Sequence, residues 1–337
     1  MANNDANKPR SAARGAGLAL LSLSVLGAVT FFGYRLVSAS VSRPPVEQPV
    51  LAPAPPPPDP EWDRMVGRIS ATAQRFQGGM AVYLKDLSSG RTWELNADHD
   101  VPSASLIKVP IMAALLERVK RGDVSLDEKM VMTRGDKRGG SGKMRRQRSG
   151  SRYTVHELMY RMITESDNTA AHMIIRRLGM DYLQSQFAAM GLTHTNITPE
   201  GMSLDSYGVA RENYTTAREM AGLLEKIYRG ELVDGEQSAL MMETMKHLRH
   251  ATRFSKRLPA GWRLAHKTGM LRQSCHDAGI FFSPGGDYVM VVLSWNVPDY
   301  LYAAHQITKV AGHTFSYYRQ FELQTARSAD RGDARSS

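Results

Sequence analysis

The chain has a single cysteine, Cys275, in 337 residues. No internal disulfide can hold it, so stability must come from a packed core, which a chain of this length can build. It also lacks an excess of acid: 43 Lys and Arg stand against 33 Asp and Glu, a formal net charge of +10. That balance suits anionic surroundings such as phospholipid headgroups or cell-wall polymers. Nucleic acid is not expected as a partner, because no zinc-finger, helix-turn-helix or other nucleic-acid signature accompanies the charge. His266 and His276 have no paired His, Asp or Glu at metal-ligand spacing, so neither a metal nor another cofactor is expected. Cys275 reads as a small apolar strand residue. Hydrophobic residues at 42% and charged residues at 23% are ordinary globular values and leave a folded domain as the expectation.

What is present begins with residues 1–15, polar and carrying Lys8, Arg10 and Arg14. An uncharged apolar run follows, long enough to span a bilayer as a helix. Residues 16–38 therefore read as a transmembrane anchor, or as a signal segment cleaved at Val37-Ser38-Ala39. The positive flank would keep residues 1–15 in the cytoplasm and put the bulk of the chain outside the cytoplasmic membrane, periplasmic or extracellular; cleavage near residue 39 would make it secreted. Residues 39–60 are dense in proline, which excludes helix and sheet and makes a stiff linker.

The globular part, residues 61–323, opens with a helix over 61–77 that puts Trp62, Met65, Val66 and Ile69 on one face. Two strands, 81–84 and 92–95, turn at Ser88-Ser89-Gly90. A helix runs from Ser105 to about Arg121 and stops at Gly122. Residues 133–152, rich in glycine and arginine, read as an exposed loop. Helices follow over 155–163 and 169–178, the second with Asn168 as N-cap and Gly179 as stop. Residues 192–213 form a long loop of the kind that usually serves a function. Thr216 and Glu219 make a capping box for the next helix, and a methionine-rich helix covers 234–248. Strands resume at Trp262 and turn at Pro284-Gly285-Gly286. A helix over 301–320 closes the domain, and the polar residues 324–337 read as a disordered tail.

Chemistry enters at Ser105 and Lys108, three positions apart at a helix start and so on one face. A serine hydroxyl needs a group that can take its proton, and an amine does so if its pKa is lowered. Pro110 agrees with a helix N-terminus, where free amides point outward and can hold an oxyanion. Ser-x-x-Lys alone recurs by chance roughly once or twice in a chain of this size. Two further motifs, Ser166-Asp167-Asn168 between helices and Lys267-Thr268-Gly269 on a strand, follow it in order, and the conjunction is far more specific than any member.

With these three motifs the chain resembles the class A β-lactamases and penicillin-binding proteins over about residues 61–323. The resemblance implies an α/β fold: an antiparallel sheet flanked by the N- and C-terminal helices, with an all-α subdomain inserted and the site in the cleft between. It implies Ser105 as nucleophile, with an oxyanion held by the backbone amides of Ser105 and Met270. Lys108 would take or relay the proton, Lys267 would hold the Lys108 pKa down, and Ser166 would pass a proton to the leaving nitrogen. Asn168 would orient the substrate amide, while Lys267 and Thr268, with Gly269 beside them, would face the substrate carboxylate. Glu200 falls where the family keeps the glutamate that activates the deacylating water, but Leu204 stands where an asparagine should help hold it. Three functions stay open: a β-lactamase, a penicillin-binding D,D-peptidase acting on peptidoglycan stem peptides, and a sensor that stays acylated. The expected partner is a small-molecule β-lactam or peptidoglycan peptide, taken by a monomer.

Overall fold

Asp59 starts the first helix, α1 (Pro60–Gln74), by accepting from the Glu61 and Trp62 amides. Pro60 sits in the first turn, where a missing amide hydrogen costs nothing. The computed structural model describes residues 56–199, 201, 212–249 and 253–333. Residues 1–38 and nearly all of the linker lie outside them, as do Glu200 and Leu204. Among the described residues no helix is long and apolar enough to cross a membrane. After α1 come β1 (Gly79–Asp86), β2 (Thr92–Leu95), β3 (Val101–Pro102), α2 (Lys108–Lys120), β4 (Lys129–Val131), β5 (Arg152–Thr154), α3 (Val155–Thr164) and α4 (Asn168–Leu178). The chain continues with α5 (Met180–Ala189), β6 (Tyr214–Thr215), α6 (Ala217–Arg229), α7 (Gly235–Lys246), β7 (Arg263–Leu271), β8 (Ser274–Phe282), β9 (Tyr288–Trp295) and α8 (Tyr300–Asp333).

Five strands form one antiparallel sheet in the order β2-β1-β9-β8-β7. Side chains alternate between its faces. Val289, Val291 and Leu293 of β9 join one core with the helical insertion, whereas Met290 and Val292 join the other with Trp62, Met65 and Ile69 of α1 and Ile307 and Val310 of α8. Covering both faces explains why β9 reads as a nearly continuous apolar run; each such side chain contributes about 1.5–3 kcal/mol by leaving water. The expected α/β architecture is therefore the observed one, with α2 to α7 inserted between the two parts of the sheet.

Three local expectations change. Ser105 lies on a 3₁₀ turn, Ala104–Ile107, and α-helical geometry begins only at Lys108. The cap of α4 is Asp167, whose side chain accepts from the Ala170 amide, and Asn168 is instead the first helical residue. Its side chain is thereby left for other partners. Helix α8 runs past Gln320 to Asp333, through residues expected to be disordered. Nothing in 321–331 breaks a helix, since the stretch has no proline and no glycine before Gly332.

Candidate active site

The turn that carries Ser105 is held from three sides. Leu106 and Ile107 are buried beneath it. The Ser103 amide donates to the Asn213 carbonyl at 2.6 Å, extending the short β3–β6 ladder in which Val101 faces Thr215 and Pro102 faces Tyr214. On the third side lies the edge strand β7: a Cβ added to Gly269 would stand 3.1 Å from the Ala104 Cβ and 3.3 Å from the Ser103 oxygen. Glycine is needed there because the backbones approach too closely for a side chain. Ala104 itself has φ +48°, in the left-handed region that a non-glycine residue occupies at a cost of order 1 kcal/mol. The strain falls at the residue just before the candidate nucleophile.

Behind the turn, His276 contacts the Pro102 carbonyl through Nε2 at 2.8 Å and the Ser294 amide through Nδ1 at 3.2 Å. Only a neutral ring with its proton on Nε2 satisfies both partners. Burial agrees, pushing the His276 pKa down to about 4. His276 is thus a strut for the nucleophile turn. His266 contacts Asp277 at 2.8 Å. Among the described residues no cluster of His, Cys, Asp and Glu could hold a metal ion.

Lys108 is buried at the base of the cleft, and its Nζ has four neighbours: the Ser166 carbonyl at 2.7 Å, Asn168 Oδ1 at 2.6 Å, Ser166 Oγ at 3.2 Å and Ser105 Oγ at 3.3 Å. The two carbonyl oxygens can only accept, so they take two N–H groups. A neutral amine then has one lone pair left, on the side of the two hydroxyls. That amine can receive the Ser105 proton. Desolvation lowers the Lys108 pKa to about 7, against the opposing pull of the Asp167 charge, so the neutral form is populated at neutral pH. Lys267, also fully buried, reaches Ser166 Oγ at 3.0 Å and the Thr268 carbonyl at 2.9 Å. Burial first, then Lys108 and Arg253, pushes Lys267 well below an ordinary lysine. Two amines that share one hydroxyl cannot both be ammonium at low cost.

Ser166 can bridge them because its backbone has φ +53°, which sends both its carbonyl and its hydroxyl to the lysines. The neighbouring loop pins this geometry. The Asn168 amide donates to the Ser141 carbonyl at 3.1 Å, Asn168 Nδ2 donates to the Gly139 carbonyl at 2.8 Å, and the Met144 amide donates to Asp167 Oδ2 at 2.9 Å. Residues 133–152 are therefore not simply an exposed loop, since Asp136 and Met144 are buried and Gly140 and Ser141 line the cleft. Arg176 anchors the same loop through Asp136 at 2.7 Å. Gly142 has φ +94°, and a Cβ on it would lie 2.5 Å from the Asp167 Cα and closer still to its carboxylate. Gly142→Ala is accordingly expected to destabilise the fold by about 2 kcal/mol or more and to slow acylation by displacing Asp167 and Asn168. Thermal unfolding measured beside the acylation rate checks this; an unchanged midpoint would mean that the loop yields freely.

The cleft has a volume of about 620 Å³. Of the residues picked out in the sequence, Ser105, Lys108, Asn168 and Met270 line it; Ser166, Lys267 and Thr268 sit behind the wall, and Gly269 packs against the nucleophile turn. Glu200 and Leu204 lie outside the described residues. Sequence reasoning missed Arg253, buried with φ +56°, whose Nε reaches Cys275 Sγ at 3.0 Å and whose guanidinium reaches the Tyr300 hydroxyl at 2.7 Å. It brings a permanent positive charge close enough to act on Lys267. An arginine in a polar stretch with no pattern gave no sign of it. Glu212, on the cleft wall, was also overlooked.

Residues 64–318 match the Beta-lactamase enzyme family. The chain is 29% identical over 237 residues to a beta-lactamase of Streptomyces fradiae, covering 68% of this chain and 78% of the relative. It is 28% identical over 241 residues to one of Streptomyces albus G, covering 68% and 76%. Among solved structures it is similar to PBP-A, with 29% identity, a TM-score of 0.70 and coverage of 80% of this chain and 99% of the other. An ancestral class A beta-lactamase matches with a TM-score of 0.68 at 24% identity, covering 75% and 99%, a likeness of fold.

Proposed function

This chain belongs to the beta-lactamase enzyme family and is a serine hydrolase, and on that premise we propose that it opens β-lactams through an acyl-Ser105 intermediate. The observation that carries the reading is the buried Lys108 amine, neutral near pH 7, with its free position toward Ser105 Oγ. Ser105 attacks the lactam carbonyl while Lys108 takes its proton. The oxyanion is held between the amides of Ser105 and Met270. Ser166, in contact with both lysines, hands a proton to the leaving nitrogen. Asn168 aligns the substrate amide with its remaining N–H. The β7 edge at Thr268 and Gly269 is the side toward which the carboxylate is directed, with Lys267 buried behind it. Glu200 is assigned the deacylating water. The test is a time course of the intact mass of the soluble part with a penicillin. An adduct that forms and returns to the free mass supports the lactamase, and no adduct at all removes the reading.

A second reading, a penicillin-binding D,D-peptidase or a sensor that stays acylated, is favoured by two observations. PBP-A resembles this chain as closely as the Streptomyces beta-lactamases do, and a variant of PBP-A was solved as an acyl-enzyme complex with penicillin G. Leu204, in place of the expected asparagine, points the same way. A stable adduct in the same time course, with release of terminal D-alanine from a stem peptide, would select the peptidase.

Lys108 makes the reaction pH-dependent. Protonated Lys108 cannot accept a proton, so acylation is expected to rise with pH through about 7 and then level off. Contrary to the expectation from the sequence, burial rather than Lys267 lowers the Lys108 pKa, whereas burial and then the Lys108 charge lower that of Lys267. Lys267→Ala is therefore expected to slow acylation while leaving the limb in place. Stopped-flow acylation rates from pH 5 to about 9 read both curves, and a limb that moved up would show that Lys267 does act on Lys108.

For location, we propose residues 16–38 as the anchor and 39–60 as the spacer that holds the domain outside the cytoplasmic membrane. Carbonate-washed membranes of the source cell should retain the full-length mass. A soluble product beginning after Ala39 would instead mean a cleaved signal.

A further inference from the structure

One wall of the cleft carries a carboxylate that the proposed reaction does not use. The β3–β6 ladder pairs Val101 with Thr215 and Pro102 with Tyr214, and the Ser103 amide donates to the Asn213 carbonyl. Glu212, the residue before Asn213, lines the same cleft as Ala104 and Ser105 of the nucleophile turn. Asn213 is buried and holds the loop, accepting from the Thr198 amide at 2.8 Å, and a Cβ on Gly201 would strike its side chain. Glu212 is half-buried on the cleft wall and has no hydrogen bond or ion pair among the described residues. Burial alone raises its carboxyl above the usual range. A carboxylate that has lost part of its hydration without gaining a partner is unusual in a structural position, and in a cleft it favours a ligand that supplies the missing cation. Among the described residues, Lys108 and Arg272 are the other charged groups lining the cleft. Lys108 is occupied at its base by Ser166 and Asn168.

We propose that Glu212 forms a subsite for a positively charged group on the acyl side chain of the substrate, so that the site prefers substrates bearing an ammonium there. The inference rests on the proposed acylation of Ser105. In a penicillin the carboxylate and the acylamino group leave the fused rings on opposite sides. With the carboxylate end directed to β7 and the amide to Asn168, the side chain beyond the amide meets the remaining wall, that of Gly201, Glu212 and Asn213. The cation would regain for Glu212 what burial removed. Penicillin G, ampicillin and carbenicillin share one scaffold and carry at the same carbon a hydrogen, an ammonium and a carboxylate.

The experiment measures the second-order rate of Ser105 acylation by mass spectrometry for these three compounds, at a pH where the ammonium is protonated. The full chain is compared with Glu212→Gln and Glu212→Lys. The expected order in the unaltered protein is ampicillin, then penicillin G, then carbenicillin. Glu212→Gln should shift the ampicillin to penicillin G ratio roughly fivefold toward parity, the scale of a partly exposed ion pair. Glu212→Lys should invert the order, which a merely structural glutamate would not do. Equal ratios in all three proteins would overturn the inference and leave the acylation reading standing. Adducts that accumulate equally from every compound in Glu212→Gln would also overturn it, since Glu212 would then serve the deacylating water. If no compound acylated any of the proteins, the proposed function would fall, and the inference with it.

Discussion

Ser105→Ala is expected to abolish labelling by a fluorescent penicillin while the protein stays folded. The loss should be on the order of a millionfold in the acylation rate, the scale seen when a nucleophile is removed from a catalytic unit. The fold should survive because the turn is held by Leu106, Ile107, the Asn213 carbonyl and His276, none of which depends on the Ser105 hydroxyl. Among the described residues that hydroxyl contacts only the Lys108 amine, at 3.3 Å. Labelling by gel fluorescence and unfolding by circular dichroism, measured on the same sample, read both halves of the expectation. Ser103 and Ser141 also line the cleft, so peptide mapping of any residual label is decisive. A label on either of them, at the rate of the unaltered protein, would end the assignment of Ser105. The largest single effect thus tests the point on which every other role depends.

The next largest effect is expected for Glu200→Gln. If Glu200 activates the water, the variant should acylate normally and then stay acylated, because removing a general base costs about two to four orders of magnitude on the step it serves. A burst of lactam opening followed by near silence would be observed. If Leu204 leaves the water unsupported, the unaltered chain will itself deacylate slowly and the substitution will change little. Two proteins trapped as equally stable adducts would refute turnover and select the peptidase or the sensor. Restoring the missing amide with Leu204→Asn gives an independent check, since it should speed deacylation only if Glu200 is the base.

Which parts could be read from the chain, and which could not, follows from the range of the interactions. Local chemistry was legible. Helix α1, the β1–β2 hairpin, the turn at Pro284-Gly285-Gly286 and Thr216 as the N-cap of α6 are set by neighbours a few residues apart, and they appear where the pattern put them. The expected capping box does not close, because the Glu219 carboxylate accepts instead from the amides of Thr193, His194 and Thr195. The three motifs were legible as well, since Ser105 and Lys108 lie within one turn and the other triplets are contiguous. Asp167 rather than Asn168 caps α4 because the loop 139–144 closes over both residues. It donates the Met144 amide to Asp167 and takes the Asn168 amide at the Ser141 carbonyl, partners more than twenty residues away in sequence.

By itself the sequence determined the family and the α/β architecture, and it singled out Ser105 and Lys108 as the pair proposed to react, because these rest on short-range patterns and on residue types that cannot be exchanged. Only the tertiary structure decided that Lys108 loses much of its basicity, because this follows from complete burial, against the opposing Asp167 charge. It also decided that Lys267 is buried beside the cleft with Arg253 near it, that His276 braces the nucleophile turn, and that Glu212 faces the cleft without a partner among the described residues. The physical reason is common to all four. A side chain's charge state depends on the water it has lost and on the dipoles and charges brought within a few ångströms, and those are supplied by strands and loops far apart in the chain.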